Sequence, residues 1–194
     1  LRLLQTENSN PDYHVYETLE EETQRIAETV KSLVAFAQPR EPVKSAVDLN
    51  DILKDVICSF KDTGPGNGAQ IVESLDKNMP AIMADKEQIA LACRNIIDNS
   101  RRATNGKTCL EIVTKMGTSN NINVFFCDPG RGIPSDVIDK VFDPFFVEND
   151  EERGMGLGLC VSHDIIKRHG GSLTAKNQKE KGTVFQIALP IETT

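Results

Sequence analysis

The stretch GMGLGLCVSHDIIKRHGG, from Gly154 to Gly171, most constrains what this chain can fold into. Three glycines at alternate positions lead into an apolar run with helical spacing, which stops at a Gly-Gly pair. Because glycine lacks a Cβ atom, the backbone N–H groups of such a loop can approach a bulky anion. The following helix directs its first N–H groups and the positive end of its dipole to the same place. The stretch predicts a phosphate-binding loop that opens a helix, although alternating glycines also occur in ordinary turns.

Composition limits the class of protein. The chain has 194 residues, of which 39% are hydrophobic, enough for one domain with a core and an appendage. Its net charge of −7 argues against nucleic acid or an anionic membrane surface as a partner. No window approaches 18 uncharged apolar residues, so we expect no membrane contact. Single cysteines within apolar runs predict reduced core residues of a cytoplasmic protein. They are Cys58, Cys93, Cys109, Cys127 and Cys160.

The segment before Pro39 predicts a long amphipathic helix. Asn10-Pro11 would cap this helix and Pro39 would end it. Six residues of one face follow the alternating spacing of a heptad seam. They are Leu19, Thr23, Ile26, Val30, Leu33 and Ala37. Such a seam packs against a partner helix, which favours a hairpin with a helix ending at Leu1–Gln5 and a four-helix bundle formed by dimerisation. Packing on the chain's own globular part is the alternative.

Prolines and mixed charges indicate a linker at residues 39–46, between a helical region at 1–38 and a globular domain at 47–194. In the globular domain, Asn50 is expected to cap one helix, and Asp85 to open another through a capping box. Helices and strands alternate irregularly, with hairpins. This order predicts an α+β fold, a two-layer α/β sandwich with a mixed sheet under about three helices, preceded by the long helix of a helical hairpin.

A polar pair lies on the otherwise apolar helix RNIIDNSRRA. Asn95 and Asn99 are four residues apart and share one face of this helix. Either both amides are simply solvated, or an amide oxygen ligates a hard cation such as Mg²⁺ that is bridged to phosphates. Arg102, one turn beyond Asn99, could add charge-assisted contacts to phosphate.

The sequence DPGRGI follows a buried strand and begins with Asp128. A carboxylate at a strand end can accept a hydrogen bond from an exocyclic amine such as that of adenine. Gly130 and Gly132 would let a flat base lie against the backbone. The alternative is an Asx-turn that closes the strand. Residues 142–146, FDPFF, are expected to place most of their aromatic side chains in the core, and Gly182-Thr183 to close the site from the last hairpin.

In their order and spacing, Asn95…Asn99, DPGRGI, FDPFF and GMGLGL resemble the N, G1, F and G2 boxes of the sensor histidine kinase catalytic domain. That domain belongs to the ATPase superfamily shared with DNA gyrase, heat-shock chaperones of the ninety-kilodalton class and mismatch-repair ATPases. The resemblance covers roughly Val47 to Pro190. The short loop between the F and G2 boxes is similar to that of the nitrogen-regulation-like subclass. The preceding helix resembles the second helix of the dimerisation and phosphotransfer hairpin.

This resemblance implies ATP and Mg²⁺ as cofactors, with Asn99 on the metal and Asn95 on the triphosphate side. It implies that Asp128 binds the adenine amine, with Gly130 and Gly132 shaping the base pocket and Thr183 nearby. Further residues are implied to form the hinge of the ATP lid and to touch phosphates. They are Gly154, Gly156, Leu157 and Gly158. The implied reaction, in a homodimer, moves the γ-phosphoryl group of ATP to a histidine and then to an aspartate of a response-regulator receiver domain.

Two features depart from the family's pattern. Its phosphoacceptor motif, a histidine followed by an acidic residue near a proline in a helix, is matched by none of His14, His163 and His169. We therefore expect the acceptor upstream of Leu1, and a fragment that binds ATP without phosphorylating its own histidine. The lid at Val147–Glu152 is acidic where related short lids often carry Thr and Lys, and its carboxylates would repel a triphosphate.

Three functions are compatible with these residues. The leading interpretation is the ATP-binding catalytic region of a sensor histidine kinase, favoured by the intact glycines and both asparagines. The acidic lid favours a degenerate kinase that acts as a phosphatase or docking scaffold. A protein serine kinase or chaperone-like ATPase of the same superfamily is the third, but those relatives usually carry a glutamate where Asn95 stands. The region would be cytoplasmic, and membrane anchoring of a longer protein is compatible with it.

Overall fold

The computed structural model describes residues 32–63, 70–104, 109–118, 120–147, 155–179 and 181–191, and positions 15, 16, 19, 23, 26, 27 and 30. The predictions for Gly154, His14, most of the acidic lid, the Asn10-Pro11 cap and the helix ending at Gln5 lie outside these residues. The chain divides into two units, Leu1–Pro39 and Arg40–Thr194. Within the part of the chain just defined, no helix has the length and apolar composition needed to cross a membrane.

The first unit contains helix α1, which ends at Ala37, before Pro39 as the sequence predicts. The large apolar side chains of the predicted heptad seam are exposed. Their exposed fraction ranges from 41% for Leu33 to 62% for Ile26. Helix α1 therefore presents an apolar row to solvent.

The second unit contains, in order, β1 (Ser45–Val47), α2 (Leu49–Thr63), β2 (Gln70–Ser74), β3 (Ile82–Ala84), α3 (Lys86–Ala103), β4 (Cys109–Met116), β5 (Asn121–Asp128), a 3₁₀ turn (Ile138–Lys140), α4 (Gly158–Arg168), β6 (Ser172–Asn177) and β7 (Thr183–Pro190). Five strands form one sheet in the order β2-β4-β5-β7-β6, and β1 pairs with β3 separately. Strand β2 runs parallel to β4, whereas the other pairs of the large sheet are antiparallel. The predicted mixed sheet is confirmed.

Successive side chains of each strand point to opposite faces of the large sheet, and one of these faces is buried. In β5, the side chains of Ile122, Val124, Phe126 and Asp128 are buried, and the residues between them are half-buried. Helices α3 and α4 contact β5 and β6, and α2 packs on α3, so a layer of helices covers this face. This arrangement confirms the predicted α+β sandwich.

The start of α2 differs from the sequence prediction. Asp48 Oδ1 accepts a hydrogen bond from the N–H of Asn50 at 2.8 Å, so the cap is Asp48, and the prediction for Asn50 was wrong. The Asn50 side chain is buried instead. It donates to the Asp76 carbonyl oxygen at 2.8 Å and accepts from the Thr114 hydroxyl group at 3.0 Å. The chain enters the helix directly from β1, which places Asn50 inside the first turn.

All five cysteines are free of disulfide bonds in the structure. Cys93 is buried, and burial raises the pKa of its thiol to about 12. Cys58 and Cys109 are exposed, so the prediction of core residues was wrong for these two. Cys109 lies at the first position of β4, whose side chains alternate between exposed and buried.

Candidate functional site

Helix α3 carries the predicted asparagine pair and begins at its predicted cap. The Asp85 carboxylate accepts hydrogen bonds from the N–H groups of Glu87 and Gln88, both at 3.1 Å. Asn95 donates its Nδ2 hydrogen to the carbonyl oxygen of Gly158 at 3.1 Å. Asn99 lies one turn further along the same face and is half-buried. The asparagine helix and the glycine loop, far apart in sequence, therefore meet directly.

The first turn of α4 has no internal partner for its backbone donors. The cap position is occupied by Leu157, which cannot accept a hydrogen bond through its side chain, and the turn that starts at Gly158 carries no acidic residue. The first N–H groups of a helix lack acceptors within the helix. Asp85 satisfies these donors in α3, whereas among the residues that the structure describes no side chain caps α4, so the α4 N-terminus can receive an anion.

Asp128 ends β5 and is 1% exposed. Its Oδ1 atom accepts the N–H of Gly130 at 2.9 Å, and its Oδ2 atom accepts the Ser100 hydroxyl group at 3.4 Å. The N–H of Thr183 also donates to this carboxylate. Burial raises the pKa of Asp128 above the ordinary value, although these three hydrogen bonds oppose the shift. The carboxylate is thus oriented by groups from α3, β7 and its own loop.

The two glycines after Asp128 are required by the turn itself. A Cβ atom on Gly130 would lie 2.6 Å from Asp128 Oδ1 and 3.1 Å from the Ala103 Cβ. Gly132 has a φ of +80°, a backbone conformation that side chains rarely adopt. The bond from Gly130 to Asp128 forms an Asx-turn, so the structural alternative for this motif is present. The turn fixes the carboxylate and does not compete with a role in binding.

Thr183 lies beside Asp128, as expected for a residue that closes the site. The two residues are paired in the register of β5 and β7, and Thr183 is buried. Gly182 has a φ of +107°, and a Cβ atom there would meet the Asp128 carbonyl oxygen at 2.0 Å. The hairpin turn can therefore approach Asp128 this closely only with glycine at position 182.

The FDPFF segment packs beside the glycine loop. The N–H of Phe145 donates to the Gly156 carbonyl oxygen at 3.1 Å, and a Cβ atom on Gly156 would lie 2.5 Å from the Phe146 carbonyl oxygen. Phe142 stacks on His163 of α4 with 5.3 Å between ring centroids. The expectation that most of these aromatics are core residues was wrong, because Phe145 is 56% exposed and the other two are half-buried. They cover the edge of α4 and the loop.

Two further predicted site residues differ in their position and burial. Leu157 is buried at the start of α4. Arg102 is exposed near the end of α3, and its contact with phosphate remains a prediction. Gly154 lies outside the described residues.

The face of helix α3 from Asn95 to Ala103 forms one wall of the candidate site, and the two ends of this wall carry different chemical groups. Asn95 contacts Gly158 at one end, Ser100 contacts Asp128, and Ala103 faces Gly130 at the other. At 1.5 Å per residue, Asn95 and Ala103 are separated by about 12 Å along the helix axis. An elongated ligand with an anionic end and a hydrogen-bond donor at its other end matches the two ends of this wall.

Sequence reasoning missed three residues that build the site. Ser100 follows Asn99 directly, and its place on the helix could have been found from helical geometry. Asn177 and Gln178 belong to no motif, yet their side-chain amides bind the backbone of the loop after Asp128. A cleft of about 340 Å³ opens between that loop and the β6–β7 turn, lined by residues 131–134, 177, 178, 181 and 182. It lies beside Asp128 and does not include Asn95 or Asn99.

The donors available to a metal ion are amides. Among the described residues there is no group of three or more His, Cys, Asp and Glu side chains that could hold one. The Asn99 amide oxygen is a neutral, hard ligand one helical turn from Asn95, which contacts the first residue of α4, and phosphate oxygens bound there would complete the coordination of Mg²⁺. The site therefore fits Mg²⁺ bound together with a phosphate ligand.

Comparison with known proteins identifies relatives of this site. The family described as histidine kinase-, DNA gyrase B-, and HSP90-like ATPase matches residues 84–193. Sensor histidine kinase ZraS of Escherichia coli (strain K12) is 27% identical over 182 residues, which are 94% of this chain and 38% of ZraS. Sensory histidine kinase/phosphatase NtrB of Rhodobacter capsulatus is 28% identical over 98% of this chain and 56% of NtrB. This chain therefore spans less than two thirds of either relative.

Solved structures show the same fold. The histidine kinase ThkA in complex with response regulator protein TrrA superposes with a TM-score of 0.74 at 23% identity, over 97% of this chain and 53% of ThkA.

Proposed function

This chain belongs to the histidine kinase-, DNA gyrase B-, and HSP90-like ATPase family, and we propose that it is the ATP-binding catalytic region of a sensor histidine kinase. The observation that carries the proposal is the contact between the Asn95 amide and the uncapped start of α4 at Gly158. It joins an amide-bearing helix to a set of unsatisfied N–H donors, the combination that a triphosphate with its metal requires. The names of ZraS and NtrB agree with this function.

In the proposed complex, the adenine amine donates to Asp128, and Gly130, Gly132 and Thr183 surround the base. The triphosphate lies at the α4 N-terminus, in contact with the N–H groups of Gly156, Leu157 and Gly158. The contacts at the two ends of the α3 wall support these proposed positions. The order of the ligand along α3 is then base at the Ala103 end and phosphates at the Asn95 end.

At the phosphate end, Asn95 would line the triphosphate, Asn99 would hold Mg²⁺, and Gly154 would add a phosphate contact. Arg102 lies next to Ala103, near the base end of α3, and its long side chain would have to extend back along the helix to contact phosphate. Mg²⁺ would neutralise charge on the phosphate oxygens. The protein's own contribution is to hold the triphosphate in one orientation through Asn95 and the backbone of the glycine loop, because phosphoryl transfer depends mainly on positioning and charge stabilisation.

The acceptor histidine is proposed to lie outside this sequence. His163 stacks on Phe142, and the His169 ring is buried with both nitrogens engaged in hydrogen bonds. The His169 imidazole cannot receive a phosphoryl group without losing one of these hydrogen bonds, and His163 lies on α4, the helix that begins at the proposed phosphate site. We place the domain boundaries at 1–38, 39–46 and 47–194, with the first region as part of the phosphotransfer hairpin.

Helix α1 is proposed to dimerise through its apolar row. The exposed side chains of Leu19, Ile26, Val30 and Leu33 form this row, and burying them against a second hairpin would remove their apolar surface from water. A response-regulator receiver domain is the proposed partner in transfer, supported by the ThkA–TrrA complex. Free cysteines and the use of ATP support a cytoplasmic location.

Calorimetric titration with a non-hydrolysable ATP analogue and Mg²⁺ tests nucleotide binding. Asn99→Ala and Asp128→Ala should each lower the affinity at least about tenfold, the equivalent of one charge-assisted contact. Asn78→Ala, on an exposed turn, is the matched control and should bind as the unmodified chain does. Binding that survives both site variants would refute the proposed pose.

A longer chain that includes the acceptor helix tests the reaction. Incubated with ATP, it should form an acid-labile, base-stable phosphoprotein, as phosphohistidine does. An acid-stable product would instead identify a serine kinase. Nucleotide binding without any phosphoprotein would favour the alternative of a phosphatase or docking scaffold, to which the acidic sequence at Val147–Glu152 points.

A further inference from the structure

Side-chain amides at the end of β6 hold both ends of the loop that follows Asp128. Asn177 Oδ1 accepts the N–H of Ile133 at 2.8 Å, and Asn177 Nδ2 donates to the Ile133 carbonyl oxygen at 2.6 Å. Gln178 Nε2 donates to the carbonyl oxygen of Asp128 at 3.0 Å. The β6–β7 hairpin therefore binds the loop at Asp128, directly before it, and at Ile133, near its end.

The two hydrogen bonds between Asn177 and Ile133 replace the backbone hydrogen bonds that a neighbouring strand would make in a sheet. One amide group satisfies both backbone groups of Ile133, in a segment that forms no strand. Gly132 makes room for this contact, because a Cβ atom there would lie 3.1 Å from Asn177 Oδ1. The distance between the loop and the hairpin is thus set by a side chain and not by a ladder.

Gln178 holds the other end of the loop against the hairpin turn. Its backbone N–H donates to the Gly182 carbonyl oxygen at 2.9 Å and closes the turn. Its side chain meanwhile binds the backbone of Asp128, whose carboxylate also accepts the N–H of Thr183. The turn, the loop and the carboxylate form one hydrogen-bonded unit.

We propose that Asn177 and Gln178 are positioning residues that set the width of the base slot, the cleft between the loop after Asp128 and the β6–β7 turn, and so its selectivity for adenine. This inference rests on the proposed function, in which Asp128 accepts the adenine amine. Adenine presents a donor amine where guanine presents a carbonyl oxygen, so a fixed carboxylate accepts the first and repels the second. A loop released from Asn177 would let the slot widen and would weaken this discrimination.

We call the two hydrogen bonds between the Asn177 amide and the Ile133 backbone the clamp, and two substitutions of Asn177 test it. Asn177→Ala removes both hydrogen bonds to Ile133. Asn177→Asp keeps the acceptor for the Ile133 N–H and sets a carboxylate oxygen against the Ile133 carbonyl oxygen. Gln186→Ala is the matched control, because Gln186 Nε2 donates to Asn123 Oδ1 at 3.1 Å on the other face of the sheet.

Affinities for the ATP analogue, the GTP analogue and tripolyphosphate, each with Mg²⁺, are measured by calorimetry. Both Asn177 variants should lose affinity for the ATP analogue by about tenfold, the scale of one or two hydrogen bonds. The ratio of their affinity for the ATP analogue to their affinity for the GTP analogue should decrease. Their affinity for tripolyphosphate should stay unchanged, because the clamp acts at the base end. Gln186→Ala should match the unmodified chain in all three affinities.

Hydrogen exchange at the Ile133 amide, read by NMR without nucleotide, tests the clamp independently of binding. It should be faster in Asn177→Ala, and an unchanged rate would overturn the clamp. If the unmodified chain binds the analogue through Asp128 but the Asn177 variants keep its affinity and preference, the positioning role alone is refuted. If the unmodified chain does not bind the analogue, the proposed function fails and the selectivity inference fails with it.

Discussion

The Nε2 atom of His169 accepts a hydrogen bond from the backbone N–H of Asp85, with 3.0 Å between the two nitrogens. Since Nε2 accepts, the proton of the neutral ring lies on Nδ1, which is 2.8 Å from the carbonyl oxygen of Ile165. The end of α4 is thereby joined to the start of α3, while Asn95 and Gly158 join the middle of α3 to the start of α4. One buried and one half-buried polar contact thus join the two helices that carry the candidate site.

Replacing His169 with alanine should destabilise the fold strongly. The change leaves the Asp85 N–H without its acceptor and opens a cavity around a residue that is 1% exposed, so we expect a loss of about 3 kcal/mol in the free energy of unfolding. Urea denaturation measures this loss. Lys167→Ala, on the exposed side of the same turn, is the control, and equal losses in both variants would contradict the structural role of the ring.

The Asp85 carboxylate should make stability depend on acid. Burial acts to raise its pKa, but the N–H groups of Val43, Gln88 and Glu87 and the charge of Arg40 outweigh burial, so the pKa lies below the ordinary value. A lowered pKa in the folded state contributes stability above the unfolded pKa, and this stability is lost as the pH falls through the folded value.

Asp85→Ala should therefore cost about 1–2 kcal/mol at neutral pH, as loss of a helix cap does, and less at pH values below the folded pKa. Denaturation curves at neutral and acidic pH give the comparison. Asp51→Ala, in the exposed first turn of α2, serves as the control. A cost for Asp85→Ala that does not change with pH would show that the carboxylate charge is unimportant.

Local rules account for the parts of the fold that were predicted well. The cap of α3 and the β6–β7 hairpin depend on neighbouring residues, so their boundaries follow from the sequence. Asn50 was misassigned because Asp48 and Asn50 both favour a cap, and the end of β1 decides between them.

Some contacts that the sequence did not predict join residues that are far apart in the chain. Asn177 binds Ile133, 44 residues away, and His169 binds Asp85, 84 residues away. Neither contact has a local signature, because an asparagine near a turn and a histidine near a helix end are common in any chain. The motifs predict which residues would meet a ligand, whereas the groups that hold those residues in place come from pairings that only the folded chain brings together.

Asp128 should have the opposite pH dependence from Asp85. Burial raises its pKa, so near the ordinary carboxyl range the folded chain binds a proton more tightly than the unfolded chain does. The free energy of unfolding should then fall as the pH rises through the raised pKa, relative to Asp128→Asn, which does not titrate there. Affinity for the ATP analogue should increase over the same window, because the ionised carboxylate is the stronger acceptor.

Urea denaturation and calorimetry at a series of pH values test both parts of this prediction. Asp136→Asn removes an exposed carboxyl group and provides the control for general charge effects. If Asp128→Asn shows the same pH profile of stability as the unmodified chain, Asp128 does not titrate differently in the folded state. The proposed role of Asp128 as a hydrogen-bond acceptor would then rest on the binding data alone.

Alanine at two glycines of the same loop should have different consequences. Gly156 has a φ of +66°, and a Cβ atom there would lie 2.5 Å from the Phe146 carbonyl oxygen, so Gly156→Ala should cost about 2–3 kcal/mol of folding stability. At Gly158, which starts α4, the nearest atom to a Cβ would be 3.6 Å away on Asn95, an ordinary contact.

Gly158→Ala should therefore fold with nearly unchanged stability and yet bind the ATP analogue more weakly, because its methyl group would stand beside the Asn95 amide that lines the proposed phosphate site. Thermal unfolding and titration of both variants, with Gly170→Ala as a further positive-φ glycine away from the site, separate strain from binding. Undiminished affinity in Gly158→Ala would mean that phosphate does not approach the Asn95 end of α3, and the base and triphosphate would have to be placed differently along that helix.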